Sequence, residues 1–268
     1  MGQSCAPLPL LPTPDPSRVR EGRTGKRTPR LNRQWSITRA MKTLYQDFAD
    51  WLARPHMLRP SGLRAPYAAQ ALGYMLALHL VVLLLVLLPL LGLWQAAMGL
   101  PSPEAFDQVS KAMLVPFVVL LAPVAEELAF RGWLTGRVRA VWLVGCGFAA
   151  AGFLAMVSYH VYEVPASFAV LGMGIVAPAG WWWLRRRGVV PGFERAFPVL
   201  VWLSILVFGL SHLSNYPSFS WALLPMVLPQ VWAGMTLSYT RMRIGIFGSM
   251  LIHAAANGIS VSLALLGV

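Results

Sequence analysis

Long apolar runs dominate this chain, and short polar or proline-containing segments separate them. A helix needs about 20 apolar residues to cross the hydrocarbon core of a bilayer. The pattern predicts an all-α fold, a polytopic transmembrane helical bundle of about seven spans, in the range six to eight. The predicted spans are residues 67–94, 112–134, 140–162, 165–184, 197–213, 220–240 and 244–266.

The segment before the first span has a different pattern. Its apolar residues Leu44, Phe48, Trp51 and Leu52 recur at i, i+4, i+7 and i+8. This spacing places them on one face of a helix. We therefore assign residues 42–64 to a short amphipathic helix that lies in the membrane interface instead of crossing it.

The remaining boundaries follow from composition. Residues 1–41 are rich in Pro, Arg, Ser and Thr, and we predict that they form a disordered basic arm lying against anionic lipid. Residues 65–268 form the predicted transmembrane domain.

The distribution of charged residues supports the membrane assignment and indicates how the chain is oriented in the membrane. Charged residues make up 12% of the chain, whereas soluble domains carry about 25%. With the N-terminus in the cytoplasm, every Lys and Arg except Lys111 falls on the cytoplasmic side of the predicted spans. This positive-inside bias accounts for the net charge of +12. The predicted partner is the lipid bilayer, and the charge gives no reason to expect nucleic acid.

Two adjacent carboxylates, Glu126 and Glu127, follow an uncharged apolar segment at residues 112–125. An ionisable group at membrane depth costs about 2.5–3.5 kcal/mol on insertion scales, so such groups are candidates for function. Glu127 and Arg131 have the i, i+4 order that favours an ion pair, while Glu126 points about 100° away around the helix. This predicts a structural Glu127 and a reactive Glu126. The alternative is that both only pair with arginines at a helix end.

Two further polar residues, His253 and Asn257, are also spaced i, i+4, with three alanines between them. A histidine and an amide one helical turn apart can donate to one developing oxyanion. The alternative is a hydrogen-bonded contact between membrane helices.

His212 follows the small residues Gly209 and Ser211, which permit close approach of another helix. A single histidine on an apolar helix commonly has only a packing role. Glu126, His212 and His253 lie in three separate predicted spans, however, and a carboxylate with two imidazoles can activate water.

These candidates fall into three motifs, EExxxR at 126–131, FxxxH at 208–212 and HxxxN at 253–257. In this order in a multi-spanning protein they resemble the signature motifs of the CPBP family, the CAAX-processing and bacteriocin-processing-type intramembrane proteases, also called the Abi family. The resemblance covers a core at residues 110–265.

The resemblance implies that Glu126 and His212 activate the attacking water, and that His253 and Asn257 stabilise the oxyanion. A bracing role is implied for the other motif residues, Glu127, Arg131 and Phe208. Because the family has been called metalloprotease, a zinc ion is an implied cofactor, and its ligands would be Glu126, His212 and His253. The other mechanism, in which Glu and His activate water, needs no metal.

The chain departs from the family pattern between the first two motifs. Residues 140–195 form an insert with two predicted helices, and an even number of added helices preserves the direction of the next span. His160 lies in this insert and His79 lies before the motif region. We predict that both have packing or outer-interface roles.

The depth of His212 does not agree with that of the other candidates. Counted from Arg195 at 1.5 Å per residue, His212 lies about 10 Å deeper than its partners. We therefore expect that the fifth span begins nearer Val201, or that it tilts or unwinds near Gly209.

The sequence thus predicts an intramembrane endopeptidase that cleaves membrane-associated protein or peptide substrates. Its short, arginine-rich chain with many Ala, Leu, Gly and Pro residues suggests a multi-pass protein of a bacterial inner membrane. One alternative is a non-proteolytic immunity or scaffold protein of the same fold. A second is a transporter whose polar groups form a proton path, although the inverted repeats typical of transporters are not evident.

Overall fold

Helices account for most of the chain in the computed structural model, which describes residues 31–104 and 110–266. Among these residues the only β-type pairing is an isolated bridge between Arg137 and Val189, so the all-α prediction is confirmed. The predicted arm up to residue 30 lies outside the described residues. The α-helices are α1 (Leu31–Ala53), α2 (Ala68–Val82), α3 (Leu88–Met98), α4 (Lys111–Leu114), α5 (Ala122–Arg131), α6 (Val138–Ser158), α7 (Glu163–Trp183), α8 (Phe193–Ser211), α9 (Leu228–Arg243) and α10 (Ile246–Leu266).

Five helical segments of the described chain are long and apolar enough to cross a membrane, and each coincides with a predicted span. They are Ala68–Met98, Val138–Ser158, Glu163–Arg186, Phe193–Asn215 and Ile246–Leu263. The polytopic membrane fold is therefore confirmed, and the number of spans roughly agrees with the prediction.

The other two predicted spans, 112–134 and 220–240, are also helical. The first comprises α4, α5 and the π-helical segment Val115–Leu121 between them, and the second is a 3₁₀ helix, Trp221–Val227, followed by α9. Both are more polar than the five segments above, because the first carries the paired glutamates and α9 carries Thr, Ser, Tyr and Arg side chains.

Two π-helical segments interrupt the α-helical pattern. Leu83–Leu87 joins α2 to α3, and Val115–Leu121 leads directly into α5. Prolines lie in or beside both segments, at Pro89 and Pro116. Because proline lacks a backbone N–H, it removes the i→i−4 bond at its position and favours such irregular turns. The second segment fixes how the paired glutamates enter the bundle.

The N-terminal helix differs from the prediction in its bounds. It begins at Leu31, within the stretch predicted to be disordered, and it ends at Ala53, so residues 54–64 of the predicted interfacial helix are not α-helical. Proline explains where the helix ends, because Pro55 disfavours the α conformation in the residue that precedes it.

The apolar face of α1 packs against protein. Phe48 and Trp51 are buried, and both rings contact Tyr239 of α9, with centroids 5.2 and 5.7 Å away. Trp51 also contacts Phe197 of α8 at 6.4 Å, and Asp47 pairs with Arg243 at 3.4 Å. The apolar face of α1 is thus covered by α8 and α9, and the predicted location of the helix in the membrane interface stays a prediction.

Helices α6 and α7 form an antiparallel hairpin within the predicted insert. The indole N–H of Trp142 in α6 donates to the carbonyl oxygen of Ala177 in α7 at 3.3 Å. Gly180 makes this approach possible, because a Cβ atom there would collide with the Trp142 ring. Most of the hairpin surface is not covered by the rest of the protein, as expected for helices that face lipid.

We predict that Trp51→Ala lowers the free energy of unfolding by about 3–5 kcal/mol, because it removes a large side chain that is only 2% exposed. Thermal and SDS-induced unfolding of the purified protein in detergent micelles would measure this. Trp183→Ala deletes the same atoms from an exposed site and should change the stability by less than about 0.5 kcal/mol. Equal effects would contradict the docked position of α1.

Candidate active site

The centre of the site is a buried ion pair within α5. Nη1 of Arg131 donates to Oε1 of Glu127 at 2.9 Å, and neither side chain has any solvent exposure. The i, i+4 spacing brings the two groups together on one face of the helix, as the sequence predicted. In this low-dielectric setting each charge is tolerable mainly because the other is present.

His253 of α10 joins this pair to the second glutamate. Its Nδ1 lies 3.1 Å from Glu127 Oε1, and its Nε2 lies 3.6 Å from Glu126 Oε2. Because an ionised carboxylate only accepts hydrogen bonds, Nδ1 is the donor to Glu127. The Glu126 side chain is 29% exposed, compared with 7% for His253. The two glutamates therefore have different environments, as predicted, and Glu126 is the more accessible.

Phe208 of α8 packs against three of the candidate residues at once. Its ring lies 3.9 Å from the guanidinium carbon of Arg131, in cation–π geometry. The imidazoles of His212 and His253 approach the same ring edge-on, with centroid distances of 4.9 and 6.0 Å. Nε and Nη2 of Arg131 have no hydrogen-bond partner, so the aromatic face is an important compensation for this buried cation.

His212 lies at the point where α8 ends. The α-helix stops at Ser211, and a 3₁₀ helix starts with His212. Its Nδ1 bonds to the carbonyl oxygen of Phe208 at 2.8 Å. A carbonyl only accepts, so Nδ1 carries the proton in the neutral ring and Nε2 is left as the basic nitrogen.

This change of helix type at His212 partly explains why its predicted depth in the membrane disagreed with that of the other candidate residues. The helix that contains the fifth predicted span begins at Phe193, and the change of helix type after Ser211 agrees with unwinding near Gly209. A membrane boundary nearer Val201 stays a prediction.

The structure does not bring His212 into direct contact with Glu126. No ion pair joins these two described side chains, although each neighbours His253 or the ring that packs on it. The hydroxyl of Ser204 bonds to the carbonyl of Phe130, which sets the level of α8 against the antiparallel α5. Counted along both helices from this bond, His212 lies about one helical turn farther than Glu126 toward the side of the bundle where α10 ends.

Asn257 contacts the π-helical segment. Its Nδ2 donates to the carbonyl oxygen of Val118 at 3.0 Å, and the next residue, Gly258, lies close to Val119. This is a bond between two membrane helices, which was the alternative interpretation of the residue. An amide nitrogen has two hydrogens, so one donor remains beyond this bond.

Comparison with known protein families shows which family has a model that matches the part of the chain with the three motifs. A family model described as Rce1-like, type II CAAX prenyl endopeptidase, matches residues 108–193 and 183–259, which together make up more than half of the chain. The chain belongs to this Rce1-like family. The match includes all three motifs and confirms the resemblance inferred from them. No curated protein and no solved structure matches the chain.

Membership of the Rce1-like family supports protease activity in general, and the helices above make the chain an integral multi-pass membrane protein. The zinc site considered above is not formed: among the residues that the structure describes, no three His, Cys, Asp or Glu side chains come together as a metal site. Glu126, His212 and His253 in this arrangement do not fit a zinc ion.

Two residues of the Rce1-like site were missed by the sequence analysis. Ser204 Oγ donates to the carbonyl of Phe130 at 2.6 Å, and Nε of Arg241 donates to the carbonyl of Arg131 at 3.2 Å. These carbonyls are among the last four of α5, which have no partner within the helix. Side chains from α8 and α9 thus cap the helix that carries both glutamates. No sequence pattern singled them out, because both hydrogen bonds join helices that are far apart along the chain.

His79 and His160 both lie outside the three motifs. His79 is buried, its Nδ1 is 3.2 Å from Oγ1 of Thr236, and its ring stacks on Trp232. His160 is exposed at the turn of the α6–α7 hairpin and pairs with Glu163. His79 therefore packs between α2 and α9, and His160 lies in a surface turn. The packing or outer-interface roles of both histidines stay predictions.

We predict that Arg131→Met lowers the free energy of unfolding by about 3–5 kcal/mol, because Glu127 is left as a buried charge without its guanidinium. The double variant Glu127→Leu/Arg131→Met removes both charges and should recover part of that loss. SDS-induced unfolding in micelles would measure each value.

The comparison needs a partly exposed pair as control. Asp47→Asn breaks the Asp47–Arg243 pair, whose side chains are about one-third exposed, and should cost less than about 1 kcal/mol. A double variant at the buried pair that is no more stable than Arg131→Met would overturn the assignment of that pair as mutually dependent.

Proposed function

We propose that this protein is an intramembrane endopeptidase that hydrolyses peptide bonds in membrane-associated protein or peptide substrates, using water activated by Glu126 and His212. The observation that best supports the proposal is that the two glutamates have different surroundings. Glu127 is bound by Arg131 and His253. Glu126 is partly exposed, and its nearest ion-pair partner among the described residues is His253 at 3.6 Å.

Glu126 is the proposed general base. A separation of 3.6 Å exceeds a normal hydrogen bond, and polar groups at such distances are commonly bridged by water. A water molecule held beside Glu126 would transfer a proton to the carboxylate as its oxygen forms a bond with the substrate carbonyl carbon. The carbonyl π electrons then move onto oxygen and give a tetrahedral oxyanion.

His212 is proposed as the second group that positions this water. Its Nε2 is left as an acceptor by the bond from Nδ1 to Phe208. His212 lies about one helical turn from the level of Glu126, and in this mechanism the substrate carbonyl and the water bind between the two side chains.

His253 and Asn257 are the proposed oxyanion donors. If His253 is protonated at both nitrogens, Nδ1 donates to Glu127 while Nε2 can donate to the oxyanion, and the charges of the two glutamates are then balanced by Arg131 and His253. When the oxyanion collapses, the C–N bond breaks and the proton held by Glu126 passes to the leaving amine. Preorganised donors of this kind act most strongly where water is excluded.

The class of substrate is inferred from the location of the site in the membrane and from the family of the protein. The site lies in a bundle whose outer surface is apolar, so a substrate that is itself anchored in the membrane would reach it without leaving the bilayer. The family description names prenylated CAAX termini, and a substrate of that type is one candidate. We further propose a bacterial inner membrane as the location, on the composition of the chain.

We predict that Glu126→Gln lowers the cleavage rate by at least about 10²–10⁴-fold, the usual contribution of a general base, while the melting temperature is unchanged. The assay is cleavage of a fluorogenic membrane-anchored peptide by the purified protein in liposomes. Glu104→Gln, which changes an exposed glutamate outside the site, should retain full activity. Retained cleavage by Glu126→Gln would overturn the mechanism.

The non-proteolytic scaffold role makes a different prediction. In cells that depend on this protein, the double variant Glu126→Ala/His212→Ala should fail to restore the phenotype if proteolysis is the function. Full complementation by that variant, at normal protein levels, would favour the scaffold.

A further inference from the structure

Two loops on the arginine-rich side of the bundle are joined into one surface. The turn between α5 and α6 and the connection between α7 and α8 exchange two backbone hydrogen bonds, from Val138 N–H to the Gly188 carbonyl and from Val190 N–H to the Gly136 carbonyl, at 3.1 and 2.8 Å. Gly136 has a φ of +64°, a conformation that glycine adopts without strain. The two loops therefore present their side chains together.

Five arginines from these loops form what we call the arginine platform. It consists of Arg137, Arg139, Arg185, Arg186 and Arg187. None of them takes part in any ion pair that the described residues form. The nearest acidic residue in sequence is Glu194, which lines a neighbouring surface cavity with Arg195. The platform thus concentrates positive charge without an internal counter-charge.

Aromatic rings hold two of these guanidinium groups in place. Arg185 lies 3.8 Å from the ring of Trp182 and donates from Nη1 to the Trp182 carbonyl at 2.8 Å. Arg139 lies 5.2 Å from the ring of Trp181. Both contacts sit one turn from the Trp142–Gly180 packing that closes the hairpin. Such preorganisation reduces the side-chain entropy lost on binding an anion.

The position of the platform at the end of a membrane-spanning segment agrees with the level of lipid headgroups. The α7 helix beside it is a membrane-spanning segment, and the exposed apolar side chains of α7 within one leaflet of the platform include Ile175 and Val176. The exposed Trp182 and Trp183 mark the membrane–water interface, where aromatic rings are enriched. An anion with its own acyl chains could therefore contact the arginines and the α7 surface at the same time.

We propose that the arginine platform is a binding site for the phosphate headgroup of anionic glycerophospholipids, with the acyl chains lying along α7. Guanidinium groups match phosphate oxygens in geometry and charge. The acyl chains would contact the exposed apolar face of α7. This proposal is independent of the proteolytic mechanism and uses none of its residues.

The test compares two double variants that remove equal charge. Arg186→Gln/Arg187→Gln removes two exposed platform arginines whose side chains form no hydrogen bond, ion pair or ring contact with the described residues, so folding should be unaffected. The control, Arg59→Gln/Arg64→Gln, removes two exposed arginines from the segment between α1 and α2, next to the α9–α10 turn on the same side of the bundle. Full-length protein in a neutral detergent would be titrated with short-chain phosphatidylglycerol, short-chain phosphatidylcholine or free glycerol phosphate, with native mass spectrometry and melting temperature as readouts.

We expect phosphatidylglycerol to bind and raise the melting temperature of the unmodified protein and of the control variant. Its affinity for the platform variant should fall by tenfold or more. Phosphatidylcholine and glycerol phosphate should bind at least tenfold more weakly to the unmodified protein. An equal loss in both double variants would assign the effect to general charge attraction, and equal binding of phosphatidylcholine or glycerol phosphate would show that an anionic lipid is not selected. Either result would overturn the proposal.

Discussion

A single carboxylate oxygen, Oε1 of Glu127, holds the functional part of this bundle together. It accepts from Arg131 on its own helix and from His253 on α10. Arg131 in turn is covered by Phe208 of α8, and its carbonyl is bound by Arg241 of α9. Four helices thus meet around one buried ion pair. Because buried charges tolerate little displacement from their partners, this pair restricts how the helices can shift past one another.

That restriction explains why two adjacent glutamates can have different roles. Glu127 is fixed and neutralised, so it can orient His253 without taking part in proton transfer. Glu126 lies on the neighbouring face, partly open, with the orienting histidine at its side. In the proposed mechanism, the rigid carboxylate supplies positioning and the more accessible one supplies the reactivity that water activation requires.

Much of the fold was predictable because the apolar length of a span is a local property. The Glu127–Arg131 pair was predictable for the same reason, since i, i+4 spacing needs no knowledge of other helices. The bond from His253 to Glu127 and the caps from Ser204 and Arg241 depend on helices far apart in sequence, so no local pattern shows them.

The docking of α1 shows a second limit of what can be predicted from the sequence. Its apolar face has the same spacing whether lipid or protein covers it, and only the structure shows Tyr239 and Phe197 in contact with it. The depth of His212 was misjudged because counting residues along a regular helix assumes that the helix starts at the membrane edge and stays regular.

The composition of α9 bears on how the protein is made. Thr236, Ser238, Thr240 and Arg241 are all buried within the bundle, and a helix with these side chains would be poorly accommodated by lipid alone. Its stable place in the membrane therefore exists only once neighbouring helices have enclosed it. For this segment insertion and assembly are one event, so a nascent chain that has not yet formed the bundle would hold α9 at the membrane surface or within the translocation machinery until its neighbours arrive.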